Sequence, residues 1–359
     1  MARAKRGDVF DPTVVGVYHC INRCVRRCFL CGDDAHTGRN FDHRKRWLEL
    51  RLERLAGCFA IDVLGYAVMD NHFHIILRNR PDVLVEWDDQ EVARRWLLLC
   101  PVRKTPEGDA EEPTDAEIAA LVADRTNVAE IRSRLCDISW FMRMAAEPIA
   151  RRANREDGVT GHFWEGRFRC SRLLDEAALL ACCVYVDLNP VRAGLAPTPE
   201  TSEFTSASRR IEAEQEHASD DCECSPGKEE SADAWLAPLP LEEGEAQVGP
   251  ALSVSGESSV TGRRCSDRGF LPLTLSQYLE LLDWTGRQHV PGKRGVIPSE
   301  TPPILARLRI AERDWLELTF HFGRLFQHHA GRPSTLARLR PRPGTRRRAL
   351  GSRLLGEAR

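Results

Sequence analysis

The sequence has no apolar run approaching the roughly 20 residues needed to cross a bilayer. Its basic opening, MARAKRGDVF, is not followed by the apolar core of a secretory signal. These absences predict a cytoplasmic chain with reduced thiols, so its 13 cysteines are expected to stay free rather than form a disulfide framework. Paired thiolate motifs are scarce as well. Cys20, Cys24, Cys28 and Cys31 approach zinc spacing, but only Cys28 and Cys31 form a CxxC, and no second CxxC completes a tetrahedral site. Net charge is nearly absent, at −2 over 359 residues, which by itself argues against a nucleic-acid partner. No internal repeat is visible.

The small net charge hides segregation. Acidic residues crowd into 111–117 and 212–234, while arginines dominate elsewhere, so a nucleic-acid partner returns to consideration. VVGVYHCINR (14–23) reads as a first strand, and 40–57 repeats Trp47, Leu48, Leu52 and Leu55 at helical spacing with Gly57 suited to its C-terminal cap. Two apolar runs then meet at Asp70-Asn71, a pair that favours tight turns, and predict an antiparallel hairpin. Residues 80–128 read as a variable insertion, 129–156 as one long amphipathic helix with a kink at Pro148, and 167–174 as a short strand. A last helix begins at Asp175, its N-cap, and stops before Pro190.

The order strand, helix, strand, strand, helix, strand, helix predicts an α+β fold of ferredoxin-like, split βαβ type, an antiparallel sheet with helices on one face. It would occupy 10–213. A Glu-, Ser-, Gly- and Pro-rich stretch over 214–266 is expected to be a disordered acidic linker, followed by a small helical module at 267–331 and a flexible basic tail at 332–359.

Within the hairpin, MDNHFHIIL places His72 and His74 two residues apart on a strand, so both point to one side and Phe73 to the other. Two imidazoles on one side either hydrogen-bond within a core or converge on a metal ion. In the last helix Tyr185 and Asn189 stand at i and i+4 and share a face. Tyr185 alone reads equally as a core residue with a bonded hydroxyl. His19, beside Tyr18 on the first strand, can approach the same site but reads more readily as a packed or DNA-contacting histidine.

VMDNHFHIIL, GHFWEGRFRC and YVDLNPVRAGLA, in that order, resemble the hallmark blocks of HUH-type tyrosine transposases, and most of all the REP-associated, insertion-sequence-200-like family. The resemblance spans about residues 10–215. It implies a ferredoxin-like catalytic domain, a divalent metal (Mg2+ or Mn2+) held by His72 and His74, and Tyr185 as the nucleophile. It implies further that Asn189, one turn beyond the tyrosine, helps complete the metal site. Relatives commonly carry proline where this chain has Asp70, which leaves both histidines in place.

The activity implied is cleavage and rejoining of single-stranded or hairpin DNA through a 5′-phosphotyrosine link, by a nucleoid-associated protein acting as a monomer or as a homodimer. Arg23, Arg26, Arg27, Arg167, Arg169, Arg172 and Arg192 are expected to meet DNA phosphates, and Trp164 to stack on a base. Two other readings stay open. One is a domesticated hairpin-binding protein that no longer cuts, and the other a metal-dependent phosphoesterase in which water attacks and Tyr185 only packs.

Overall fold

The computed structural model describes residues 9–25, 31–33, 38–106, 110–219, 231–241, 257–288, 310–338 and 351–355. Strand β1 (Gly16–Arg23) is followed by α1 (His43–Cys58), β2 (Ile61–Val68) and β3 (His72–Asn79). Four helices then cover the insertion and its approach to the next long helix: α2 (Pro81–Glu86), α3 (Asp89–Leu99), α4 (Asp115–Val122) and α5 (Arg125–Leu135). After them come α6 (Ile138–Glu156), β4 (Arg169–Leu173), α7 (Glu176–Asp187), α8 (Asn189–Arg192) and α9 (Ser206–Ser219). The C-terminal part adds α10 (Leu275–Arg287), α11 (Glu312–Leu325), β5 (His329–Ala330) and α12 (Pro333–Arg338).

The strands stand in the order β2-β3-β1-β4-β5. The first four are antiparallel to their neighbours and β5 joins β4 in parallel, so the sheet is mixed. Local sequence explains several boundaries. The β2–β3 turn closes at Asp70-Asn71, with the Met69 amide donating to the His72 carbonyl at 2.8 Å. Asp175 caps α7 by accepting from the Ala178 amide at 3.0 Å. The long helix foreseen over 129–156 is instead two, because Asp137 turns its carboxylate onto the Ser139 and Trp140 amides and starts α6 afresh.

The expectation of helices on one face is corrected. On one side, Tyr18, Cys20, Phe73, Ile75 and Leu77 pack with Leu48, Leu52 and Leu55 of α1 and Phe141 of α6. On the other, Val17, Leu64, Ile76 and Leu173 pack with α7, α10 and α11 through Leu180, Val184, Leu281, Trp315 and Phe322. Strand β2 is buried at every position, so both of its faces need a cover.

The C-terminal half departs from expectation for the same reason. In the stretch read as a disordered linker, α9 runs on to Ser219, and Trp235, Leu236, Ala237 and Leu239 are buried. The Ala237 amide donates to the Val63 carbonyl at 2.9 Å, and Trp235 packs on Tyr66. Averaged composition hides these few apolar residues, which find places against β2. The helices read as a separate module share the core of α7, where Tyr278 donates its hydroxyl to Asp187 at 2.5 Å. In the tail read as flexible, Leu355 is buried and its carbonyl accepts from Arg332 at 3.1 Å. No helix among the described residues is long and apolar enough to cross a membrane.

Candidate active site

Alternation along β1 and β3 sends Ile21, Arg23, His72 and His74 to the face covered by α7. The antiparallel register sets Ile21 opposite His74 and Arg23 opposite His72. His19, two residues back on β1, lies diagonal to His74 and within side-chain reach. Helix α7 crosses above and brings Tyr185 down onto the imidazoles. Its ring stands 5.5 Å from that of His74 and 6.0 Å from that of His19, close to perpendicular to both.

Helix α11 closes the opposite side. Phe322 stacks on Tyr185 with ring centroids 5.8 Å apart. Gly323 lies so near that a Cβ there would stand 3.1 Å from the Tyr185 hydroxyl. Two residues before it, His321 interrupts the helix with φ −126° and ψ 17°. Between these elements is a cavity of about 210 Å³ lined by Arg23, His72, His74, Tyr185, Glu165, Arg167, Arg169, His321 and Arg324.

Burial governs protonation in this cavity. It lowers His19 to about 3 and holds His74 well below the usual histidine value. Burial, with a smaller contribution from Arg23, lowers His72 to about 4. All three rings are therefore neutral near pH 7, which is the state a ligand needs. Burial raises Tyr185 above an ordinary phenol, and the Asn189 amide, Arg192 and Arg23 work against that rise.

The hydrogen bonds of the two candidate ligands are informative. His72 Nδ1 meets the Asn71 side-chain oxygen at 2.5 Å, leaving Nε2 to the cavity. His74 Nδ1 meets His19 Nε2 at 2.9 Å, while His74 Nε2 is buried with no hydrogen-bond partner. An orphaned buried ring nitrogen beside a second free one fits a cation held through two imidazoles. Among the described residues no group of three or more His, Cys, Asp or Glu side chains has ligand geometry. Two nitrogens with water or phosphate oxygens suit Mn2+ more readily than Mg2+.

The other foreseen residues separate into groups. Arg23, Arg167 and Arg169 line the cavity. Arg26 and Arg27 lie outside the described residues. Arg172 stands off the cavity, over the ring of Tyr18. Arg192 is turned under α11, donating to the Thr319 carbonyl and stacking on Phe320 at 4.3 Å; burial lowers it to about 10. Trp164 packs on Phe73, on the far face, and donates to the Ala146 carbonyl at 2.9 Å. Asn189 donates to the Tyr185 carbonyl at 2.9 Å, folding back on its own helix.

Sequence reasoning missed the contributions of His321, Gly323 and Arg324, and it set His19's approach to the site below a packed or DNA-contacting role. For His19 a signal existed, since it shares its strand face with Ile21 and Arg23. For α11 there was none.

No protein-family profile matches the chain, and no curated protein matches it. Among solved structures, the chain is similar to the REP-associated tyrosine transposase bound to a REP hairpin. The two are 12% identical, the match covers 59% of this chain and 86% of that one, and the TM-score is 0.34, a distant likeness.

Proposed function

We propose that the chain is a metal-dependent nuclease and strand transferase for single-stranded or hairpin DNA, with Tyr185 as the nucleophile. The observation that carries this reading is the convergence, in one cavity, of a phenol with two neutral imidazoles and several arginines. Its core has the sequence β1-α1-β2-β3-α6-β4 with strands ordered β2-β3-β1-β4, which supports a ferredoxin-like assignment for that part. Tyr185 meets the histidine pair of its own chain, so no exchanged helix from a second copy is needed.

In the proposed reaction the Tyr185 oxygen attacks the scissile phosphorus as its proton leaves to water. The bond from phosphorus to the 3′ oxygen breaks, and that oxygen takes a proton from solvent to become a free 3′ hydroxyl. The 5′ phosphate stays on Tyr185 as a phosphodiester, so a later 3′ hydroxyl can reverse the step without another energy source. Arg23 favours the phenolate, while Arg167, Arg169 and Arg324 line the cavity and are suited to the DNA backbone. A divalent cation on His72 and His74 would polarise a phosphoryl oxygen.

Incubation with Mn2+ and single-stranded hairpin oligonucleotides tests the proposal. A denaturation-resistant protein–DNA band is expected, absent in Tyr185→Phe and in His72→Ala or His74→Ala. Cleavage without adduct, undiminished in Tyr185→Phe, would favour attack by water. Binding with no cleavage under any condition would favour the domesticated binding protein.

A further inference from the structure

We propose that His19 is a positioning residue that holds His74 in the tautomer presenting its Nε2 lone pair to the cavity, and so sets the affinity for the divalent cation. The inference rests on the metal site proposed above and goes beyond it by naming the group that prepares one ligand.

His19 and His74 are each 2% exposed, so neither ring exchanges its partner for water. Their planes differ by only 10°, and the 2.9 Å contact runs from His19 Nε2 to His74 Nδ1. His19 is itself braced, with Tyr185 and Phe322 each 6.0 Å from its ring. The pair shares one proton across this contact. If His19 donates, the remaining proton of His74 lies on Nε2, a buried N–H facing a site meant for a cation. If His74 donates from Nδ1, its Nε2 is a free lone pair and His19 carries its own proton on Nδ1.

The neighbouring ligand makes the same choice by a simpler device. The Asn71 carbonyl oxygen can only accept, which places the His72 proton on Nδ1 and frees Nε2. Hydrogen bonding of the second ring nitrogen is the general means by which metal-bound imidazoles are oriented, and its removal weakens metal affinity by about 10–100-fold. With its own proton on Nδ1, His19 does for His74 what Asn71 does for His72.

Titration of the full chain with Mn2+ alone, followed by electron paramagnetic resonance of the free ion, reads this directly. The parent is expected to bind at one site that is lost in His72→Ala and His74→Ala. His19→Phe fills the space without an acceptor and should weaken binding by about 10–100-fold, and His19→Gln, which restores an acceptor, should recover most of it.

Should the parent bind no Mn2+ in a histidine-dependent way, the underlying metal site falls and the proposal with it. Should the parent bind and a folded His19→Phe bind equally well, the role of His19 alone is overturned. If His19→Phe does not fold, nitrogen-15 histidine spectra of the metal-free parent decide: a proton on His74 Nδ1 is expected, and one on Nε2 overturns the proposal.

Discussion

The two ends of strand β3 bury polar side chains in opposite ways. Toward its C-terminal end Arg78 donates to Asp62 at 2.8 Å and to the Gly269 and Arg268 carbonyls at 2.8 and 2.7 Å. Asp62 also accepts from Arg80 at 3.2 Å and from the Ser266 amide at 3.0 Å. At the other end His74 has one bonded nitrogen and one orphan. Completed buried networks hold chain to chain; here Asp62, Arg78 and Arg80 fasten 266–269 to the sheet. Incomplete ones cost free energy. Along a single strand, one end is closed within the chain and the other is not.

The largest expected effect is at the completed end. Asp62→Ala leaves Arg78 and Arg80 without their shared counter-charge and should cost about 3–5 kcal/mol in denaturant unfolding. His74→Leu removes one orphan but leaves the buried His19 Nε2 without its partner, and should cost less, about 1–3 kcal/mol by the same assay. Equal losses at both ends would erase the comparison.

A pH series sharpens it. The folded values of His19 and His72, about 3 and 4, lie below the roughly 6.5 of an unfolded histidine. Stability is therefore complete above about pH 6.5 and declines toward those folded values, because the unfolded chain takes up protons first. Between about pH 7.5 and 5, His19 should account for roughly 2 kcal/mol of the decline. His19→Phe should show a correspondingly shallower loss in metal-free unfolding, and an unchanged slope would contradict the assignment.

The smallest effect is expected at Gly323→Ala. The new methyl would press on the Tyr185 hydroxyl from 3.1 Å, slowing adduct formation several-fold. Melting temperature should hold or rise slightly, since alanine favours a helix by up to about 1 kcal/mol over glycine. A fall in stability with unchanged adduct rate would show that α11 does not border the reacting group.

Much of the site was legible because it rests on short-range periodicity. The strand repeat put His72 and His74 on one side, and helical spacing put Tyr185 and Asn189 on one face. What the repeat could not show was where long side chains end. Trp164 went to the far face because its ring packs on Phe73, and Arg192 went under α11 because Phe320 and Thr319 receive it. Asn189 turned back onto the carbonyl of its own helix, with its amide bearing on the Tyr185 phenol. The reading of one covered face failed because strand β2, buried throughout, needed partners that come from more than 100 residues further along the chain. Those partners, α7, α9 and residues 235–239, carry no trace of their destination in their own patterns.

The most direct test of the central claim is the identity of the residue that carries DNA after the reaction. Parent protein incubated with a hairpin oligonucleotide and Mn2+, then digested with nuclease and protease, should yield a peptide spanning Tyr185 with a nucleotide on the phenol by tandem mass spectrometry. Cleaved DNA with every tyrosine peptide unmodified, or with the nucleotide on another residue, would contradict the account.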